Sequence, residues 1–237
     1  FLWQQGLDPQ AARIAVLAFG IIPADLFGIA EVDPMIAPLP AWMTIFTSMF
    51  LHGGWTHLGG NMLYLWIFGD NVEASMGRLR FVLFYLGCGV IAALVQSIAA
   101  PSSTLPMIGA SGAIAGVAGA YLILHPRANI RVFVWIIIFF TVMNVPAWIV
   151  LGFWFLGQVL SQAASTAGQG GVAFLAHIGG FIAGVILIFK LRLPGVPVFG
   201  RPVSQAFARE SGGVISRTTS RRRSGSVPPT GPKGPWE

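Results

Sequence analysis

Residues 109–124 read GASGAIAGVAGAYLIL, an apolar stretch in which small residues recur at the spacing of one helix face. Gly112, Gly116 and Gly119 follow the pattern of helices that pack closely inside a membrane. Ser111 stands at the start of this stretch, where a lipid-facing helix has no use for a nucleophile. Serine is also common where membrane helices touch, so Ser111 alone leaves a structural and a catalytic interpretation open.

The composition is that of a polytopic membrane protein. The 237 residues are 55% hydrophobic and 9% charged, with a mean hydropathy of +0.74, whereas soluble domains carry about 25% charged residues. The net charge of +6 could suggest nucleic acid, but most basic residues lie in connectors and in the tail, as positive-inside topology predicts. We therefore predict no nucleic-acid partner. The single cysteine, Cys88, permits no intrachain disulfide.

Segments of membrane-spanning character follow one another along the chain, at 57–73, 81–100, 110–125, 132–163 and 172–190. Their connectors alternate between basic and uncharged, so positive-inside topology requires 132–163 to cross the membrane once. We assign 132–145 to an interfacial or re-entrant lead-in and about 146–163 to the crossing helix. With one further span before them, these segments predict an all-α bundle of six helices.

The two ends of the chain differ from this middle part. The chain begins at Phe1 rather than Met, and its first residues are typical of the last turn of an apolar helix, so we expect the first span to be largely missing. Residues 1–41 would hold the end of that helix and a surface loop. Residues 194–237 are rich in Ser, Arg, Pro and Gly, which predicts a disordered basic cytoplasmic tail near anionic lipid.

A histidine in the last apolar span is the natural counterpart of Ser111. His177, Gly180 and Gly184 lie on one helix face, so the imidazole points along the same surface that the glycines make suitable for close packing. Gly112 and Gly116 offer a matching surface on the serine helix. Close packing of the two faces would bring His177 against Ser111, which strengthens the catalytic interpretation of both.

Two polar residues open the first complete span. His57 and Asn61 are four apart and face the same way on a helix, where they could donate hydrogen bonds to a developing oxyanion. The alternative is that they hold helices together, as polar side chains in membranes often do.

The distribution of ionisable residues excludes several mechanisms. No Asp or Glu occurs between Glu73 and Glu210, so a serine mechanism would use a Ser–His dyad without a carboxylate. An aspartyl protease would need a second aspartate in a later span, and the His-Glu-x-x-His motif of zinc proteases is absent from the sequence. Few ionisable residues lie in the spans, which disfavours a channel or transporter. We predict neither metal nor cofactor.

Taken in order, these residues resemble the rhomboid family of intramembrane serine proteases over Trp42 to Arg192. The matching elements are Phe50-Leu51-His52 with His57 and Asn61, Gly109-Ala110-Ser111-Gly112, Pro146 through Gln158, and Ala176-His177 with Gly180 and Gly184. The resemblance implies a six-helix protease domain over 42–193 with a water-filled cavity. It also implies that Ser111 is the nucleophile, that His177 is the base, and that the Ser111 N–H joins His57 and Asn61 in the oxyanion hole. Gly109 would permit the tight approach to the serine helix.

The resemblance extends to partners and to moving parts. It implies single-pass membrane proteins as substrates, a flexible cap at 162–169 and a lateral gate on the helix carrying Phe153 and Trp154. Some members place an aromatic residue four positions after the nucleophile to stack on the histidine, whereas this chain has Ala115 there, so its imidazole must be held differently.

Two further expectations concern the class and location of the protein. A catalytically inactive relative that binds and escorts membrane proteins is the main alternative to a protease. The short connectors and modest tail favour a bacterial inner membrane, with an organelle as the other possibility.

Overall fold

The structure, a computed structural model, describes residues 1–136, 138–164 and 173–200. Most of the expected cap at 162–169 and of the expected tail at 194–237 lies outside this part of the chain. The long helices α5 to α9 run, in order, over Trp55–Met76, Arg78–Ala99, Ser111–Leu124, Ala147–Ala164 and Phe174–Leu191. Each overlaps one of the spans expected from the sequence, and the helical membrane-protein fold class is confirmed.

Short helices precede this bundle, in the region expected to be a surface loop. They are α1 (Leu2–Gln5), α2 (Pro9–Phe19), α3 (Pro23–Leu26) and α4 (Thr44–Thr47), the last flanked by single 3-10 turns at Ala41–Met43 and Ser48–Phe50. Asp8 begins α2 by accepting the N–H groups of Gln10 and Ala11 at 2.9 and 3.1 Å. Ile21 exchanges two backbone hydrogen bonds with Met107, at 3.0 and 2.8 Å. This bridge ties the N-terminal region to the connector that leads into α7.

Helix α7 is the central and the shortest of the long helices. Its 14 residues reach about 21 Å, whereas the hydrocarbon core of a bilayer is about 30 Å thick. In the part of the chain that the structure describes, α6, α8 and α9 have the length and composition to cross a membrane. Because α7 ends beside the basic connector that carries Arg127, the shortfall lies at its first residue, Ser111. If α7 reaches the membrane surface at its basic end, Ser111 would begin its helix below the opposite surface.

The interior of the bundle is built around α7. Every residue from Gly112 to Tyr121 is buried, as expected for a helix that is apolar on all sides. Helix α9 packs against it through glycines. A Cβ atom on Gly180 would overlap the carbonyl oxygen of Gly112, and one on Gly184 would overlap the carbonyl oxygen of Gly116. The two backbones are thus in direct contact along two turns.

The segment before α8 requires a correction. Residues 132–145 lie within an antiparallel pair of strands, β1 (Asn129–Ile136) and β2 (Phe139–Pro146), so the expectation of an all-α fold is wrong for this segment, while its placement as an interfacial or re-entrant lead-in stays a prediction. The segment is dense in Val, Ile, Phe and Trp, the β-branched and aromatic residues that suit a strand. The single crossing helix expected after Pro146 is present as α8.

Candidate active site

Ser111 and His177 meet at the starts of α7 and α9. The Ser111 Oγ atom lies 2.8 Å from the Nε2 atom of His177, although the two residues are 66 positions apart in sequence. The glycine contacts between α7 and α9 account for this approach, because backbones in direct contact let the side chains at the same end of both helices touch. A serine hydroxyl hydrogen-bonded to an imidazole is the arrangement in which the imidazole can act as a general base.

A tight turn at Gly109 precedes Ser111. Gly109 has a φ of +117°, a conformation that a residue with a side chain rarely adopts. Its N–H donates to the carbonyl oxygen of Ser48 at 2.9 Å, which anchors the turn to the N-terminal region. A Cβ atom on Gly109 would also lie 2.8 Å from the Nε2 atom of His57. Both the backbone conformation and the lack of space therefore require glycine here.

His57 and Asn61 face this turn from α5. The Nδ1 atom of His57 accepts the N–H of Gly53 at 3.2 Å, so in the neutral ring the proton is on Nε2, the atom that faces Gly109. The amide nitrogen of Asn61 is also directed at Gly109, is buried, and has no hydrogen-bond partner among the described residues. A buried donor without a partner is costly to keep. Two unused donors beside the turn that leads to Ser111 form a place where negative charge would be stabilised.

The backbone at the start of α7 adds further donors. Ser111 is the first residue of the helix, and the first N–H groups of a helix lack partners within it. These groups and the positive end of the helix dipole favour an anion at this point. The N–H of Ser111 is therefore available to the same region that His57 and Asn61 face.

The imidazole of His177 is held by α8. Its Nδ1 atom lies 2.7 Å from the Oε1 atom of Gln158, and the ring of Trp154 is 6.0 Å from the imidazole centroid at an angle of 37°. Ala115 on α7 offers no aromatic ring to the imidazole, and Trp154 on α8 supplies one instead. The sequence predicts Trp154 only as part of the gate and Gln158 only as the end of a matching element. Their spacing of four residues, which puts them on one face of α8, was the signal that could have linked them.

Another amide fixes the start of α9. The Oε1 atom of Gln96, on α6, accepts the backbone N–H of Ala176 at 3.2 Å, one residue before His177. The first N–H groups of α9 otherwise lack partners within the helix. Gln96 was also missed, because in sequence it is a single polar residue near the end of an apolar span.

The loop before α5 is built around a second histidine, His52. Its backbone N–H and carbonyl oxygen bond to the side chain of Gln4 at 3.2 and 2.9 Å, and its ring lies 5.2 Å from that of His57. Burial, with a smaller effect of His57, lowers the pKa of His52 from its usual value. The lowered pKa disfavours a positive charge on His52 beside His57, and the contacts of His52 order the loop that supplies Gly53.

An apolar cavity adjoins the turn at Gly109. Its walls come from the N-terminal region, α6, α7 and the start of α9, and they include Ile45, Met49, Ala92, Met107, Ala113 and Ala176. None of the described residues that line it is charged. Among the described residues no group of three His, Cys, Asp or Glu side chains is arranged to hold a metal ion. The site therefore brings together a serine hydroxyl, an imidazole in contact with it, two unused donors and an adjoining cavity.

Comparison with known sequences gives a family for the chain. A family model described as the Rhomboid domain matches residues 40–194. The chloroplastic rhomboid-like protein 11 of Arabidopsis thaliana is 30% identical over 64% of this chain and 53% of its own length. The mitochondrial rhomboid protein 1 of Saccharomyces cerevisiae is 34% identical over 61% of this chain and 40% of its own. The rhomboid protease GluP of Bacillus subtilis is 33% identical over 70% of this chain and 29% of its own.

These relatives also bear on location. The first is named as a chloroplast protein and the second as a mitochondrial protein, while the third comes from a bacterium. The bacterial inner membrane expected from the sequence is therefore not supported. What is supported is a multi-pass integral membrane protein. The chain spans about half or less of the length of these three relatives, 53%, 40% and 29%. Since the matching domain covers well over half of the chain, this protein belongs to the rhomboid family.

Proposed function

We propose that this chain is an intramembrane serine endopeptidase that hydrolyses peptide bonds in or beside the helices of single-pass membrane proteins, through a protease domain at 42–193. The observation that carries the proposal is the 2.8 Å contact between Ser111 Oγ and His177 Nε2. Both residues are needed for the chemistry, and both are present. An inactive escort protein would have no requirement for either side chain.

The reaction follows from the contacts. His177 Nε2 accepts the hydroxyl proton as Ser111 Oγ bonds to the scissile carbonyl carbon, and the carbonyl oxygen becomes an oxyanion. His177 then gives the proton to the leaving nitrogen as the C–N bond breaks, which leaves an acyl ester on Ser111. Water, deprotonated by the same imidazole, then bonds to the acyl carbon, and His177 returns the proton to Ser111 Oγ as the ester bond breaks, which restores the serine. No step calls for a metal or a cofactor.

The oxyanion would be held at Gly109. His57 and Asn61 direct donors to this turn, and the N–H of Ser111 lies at the start of the adjoining helix. Donors that are in place before the charge develops lower the barrier without reorganisation. The unpartnered amide of Asn61 supports this role over a helix-bridging role, because a bridging amide would bond to a neighbouring helix.

The test is cleavage by the purified protein in lipid vesicles. With single-pass membrane proteins as substrates, we expect two fragments whose new termini, located by mass spectrometry, lie in or near the membrane helix, with or without a chelator. A fluorophosphonate, which labels activated serines, should modify Ser111. Stable binding of uncut membrane proteins, with no fragments and no labelling, would contradict the proposal and favour the escort interpretation.

Changes at Asn61 should separate the oxyanion hole from general packing. Asn61→Ala is expected to lower kcat about 100-fold with KM little changed, because one donor to the oxyanion is lost while substrate contacts remain. Asn61→Asp, which replaces the donor by an acceptor of the same size, should be worse than alanine. Met62→Ala, on the exposed side of the same helix, is the control and should cleave at the wild-type rate. Equal rates for Asn61→Ala and wild type would remove Asn61 from the proposed mechanism.

A further inference from the structure

The second ring nitrogen of His177 has a partner that the proposed dyad does not use. The Nδ1 atom lies 2.7 Å from Oε1 of Gln158, a short contact between side chains 19 residues apart on two different helices. Resting on the function proposed above, we propose that Gln158 is a positioning residue that selects the tautomer of His177 able to accept the Ser111 proton. The site would then be a triad of serine, histidine and a neutral amide.

The choice of tautomer decides whether the base can work. For Nε2 to accept the Ser111 proton it must carry a lone pair, so the ring proton must be on Nδ1. The carbonyl oxygen of Gln158 can accept a hydrogen bond from Nδ1 only in that tautomer. In the other tautomer Nε2–H would point at Ser111 and could take no proton from it. The hydrogen bond to Gln158 therefore favours the productive ring state before substrate arrives.

The same bond also helps when the imidazole becomes charged. Once His177 has taken the serine proton, both ring nitrogens are donors, and Gln158 Oε1 remains in place to accept from Nδ1. Since no Asp or Glu occurs between Glu73 and Glu210, the sequence offers no carboxylate in this region for the task. A carbonyl oxygen is a weaker partner for the cation than a carboxylate would be, but it brings no second charge into the bilayer.

Helix α8 holds the side of the imidazole that does not face Ser111. Trp154, one turn before Gln158, has its ring centroid 6.0 Å from that of the imidazole, so the two side chains of α8 restrain both the proton and the orientation of the ring. Within α8 only Ala147 and Leu151 are buried, which makes it the least enclosed of the long helices. A movement of α8 away from α9 would break the 2.7 Å contact and release the base.

The experiment compares variants of Gln158 in the vesicle assay, with cleavage and fluorophosphonate labelling measured against pH. Gln158→Met keeps the length of the side chain and removes the acceptor, and it should lower kcat about 10- to 100-fold with little change in KM, since a hydrogen bond to a group that becomes charged is lost. Gln158→Glu restores the acceptor and should regain activity, with the acid limb of the pH profile moved up by about one pH unit because a carboxylate favours the charged imidazole.

Matched controls distinguish positioning from structural support. Gln96→Met removes the other amide bonded to α9, so it should lower the melting temperature while leaving the midpoint of the acid limb at its wild-type pH. Leu160→Ala changes an exposed side chain of α8 and should leave cleavage unchanged. If Gln158→Met folds and has the wild-type kcat, or if Gln158→Glu leaves the acid limb in place, the proposal is wrong. Ser111→Ala in the same assay tests the dyad separately: its retained cleavage would overturn the proposed function, not only the role of Gln158.

Discussion

Replacing Ser111 with alanine is expected to abolish proteolysis while leaving the fold unchanged. The hydroxyl forms the acyl ester, and no other hydroxyl among the described residues is hydrogen-bonded to His177. In serine hydrolases the loss of the nucleophile or of its base lowers kcat by about 10⁴-fold or more. Cleavage in vesicles should therefore fall below detection, and fluorophosphonate labelling should disappear with it.

The same loss is expected for His177→Ala and for the variant that carries both substitutions. His177→Ala should be as inactive as Ser111→Ala, and the double variant should lose no more than either, because the two side chains act as one unit. Ser97→Ala is the matched control, since this buried hydroxyl on α6 has no partner in the part of the chain that the structure describes. It should cleave normally and be no less stable. Cleavage that survives in Ser111→Ala would rule out Ser111 as the nucleophile.

The approach of the two helices that carry Ser111 and His177 was predictable from the sequence for a physical reason. Small residues at positions three and four apart leave no side chain between backbones, and such a pattern is visible without a structure. Gly112 and Gly116 on one span and Gly180 and Gly184 on another have it, and these residues are the ones in contact. The order of basic connectors likewise predicted one crossing between 132 and 163, which is α8.

Other features depended on geometry that the sequence does not reveal. The partner of His177 Nδ1 is set by how α8 is rotated against α9, and in the sequence Gln158 is one polar residue in an apolar span. The strands at Asn129–Ile136 and Phe139–Pro146 were missed because a short apolar run does not distinguish a strand from a helix by periodicity. The two runs form strands because they pair with each other, and this pairing is a non-local property that neither run shows alone.

A valine at Gly184 is expected to destroy both the stability and the activity of the protein, although this position is two turns from His177. A Cβ atom here would overlap the carbonyl oxygen of Gly116 and lie 2.7 Å from its Cα atom, so rigid backbone, not a flexible side chain, would have to move. Overpacking of this kind costs about 1–3 kcal/mol even where side chains can adjust. Separation of α7 from α9 would also lengthen the contact between Ser111 and His177.

Gly184→Ala is the smaller change at the same position, and the glycines of α8 provide matched controls. The alanine variant should melt at a lower temperature than wild type and lose cleavage while retaining helical circular dichroism, since the overlap shifts the helices without unfolding each one. Gly152 and Gly157 lie in α8 with nothing within 4 Å of an added Cβ atom, so Gly152→Ala and Gly157→Ala should be as stable as wild type. Normal melting and cleavage in Gly184→Ala would show that the glycine contact does not set the distance between serine and histidine. Loss of cleavage in the alanine variant, with both α8 controls active, would show that the reaction depends on how closely two backbones meet two turns away.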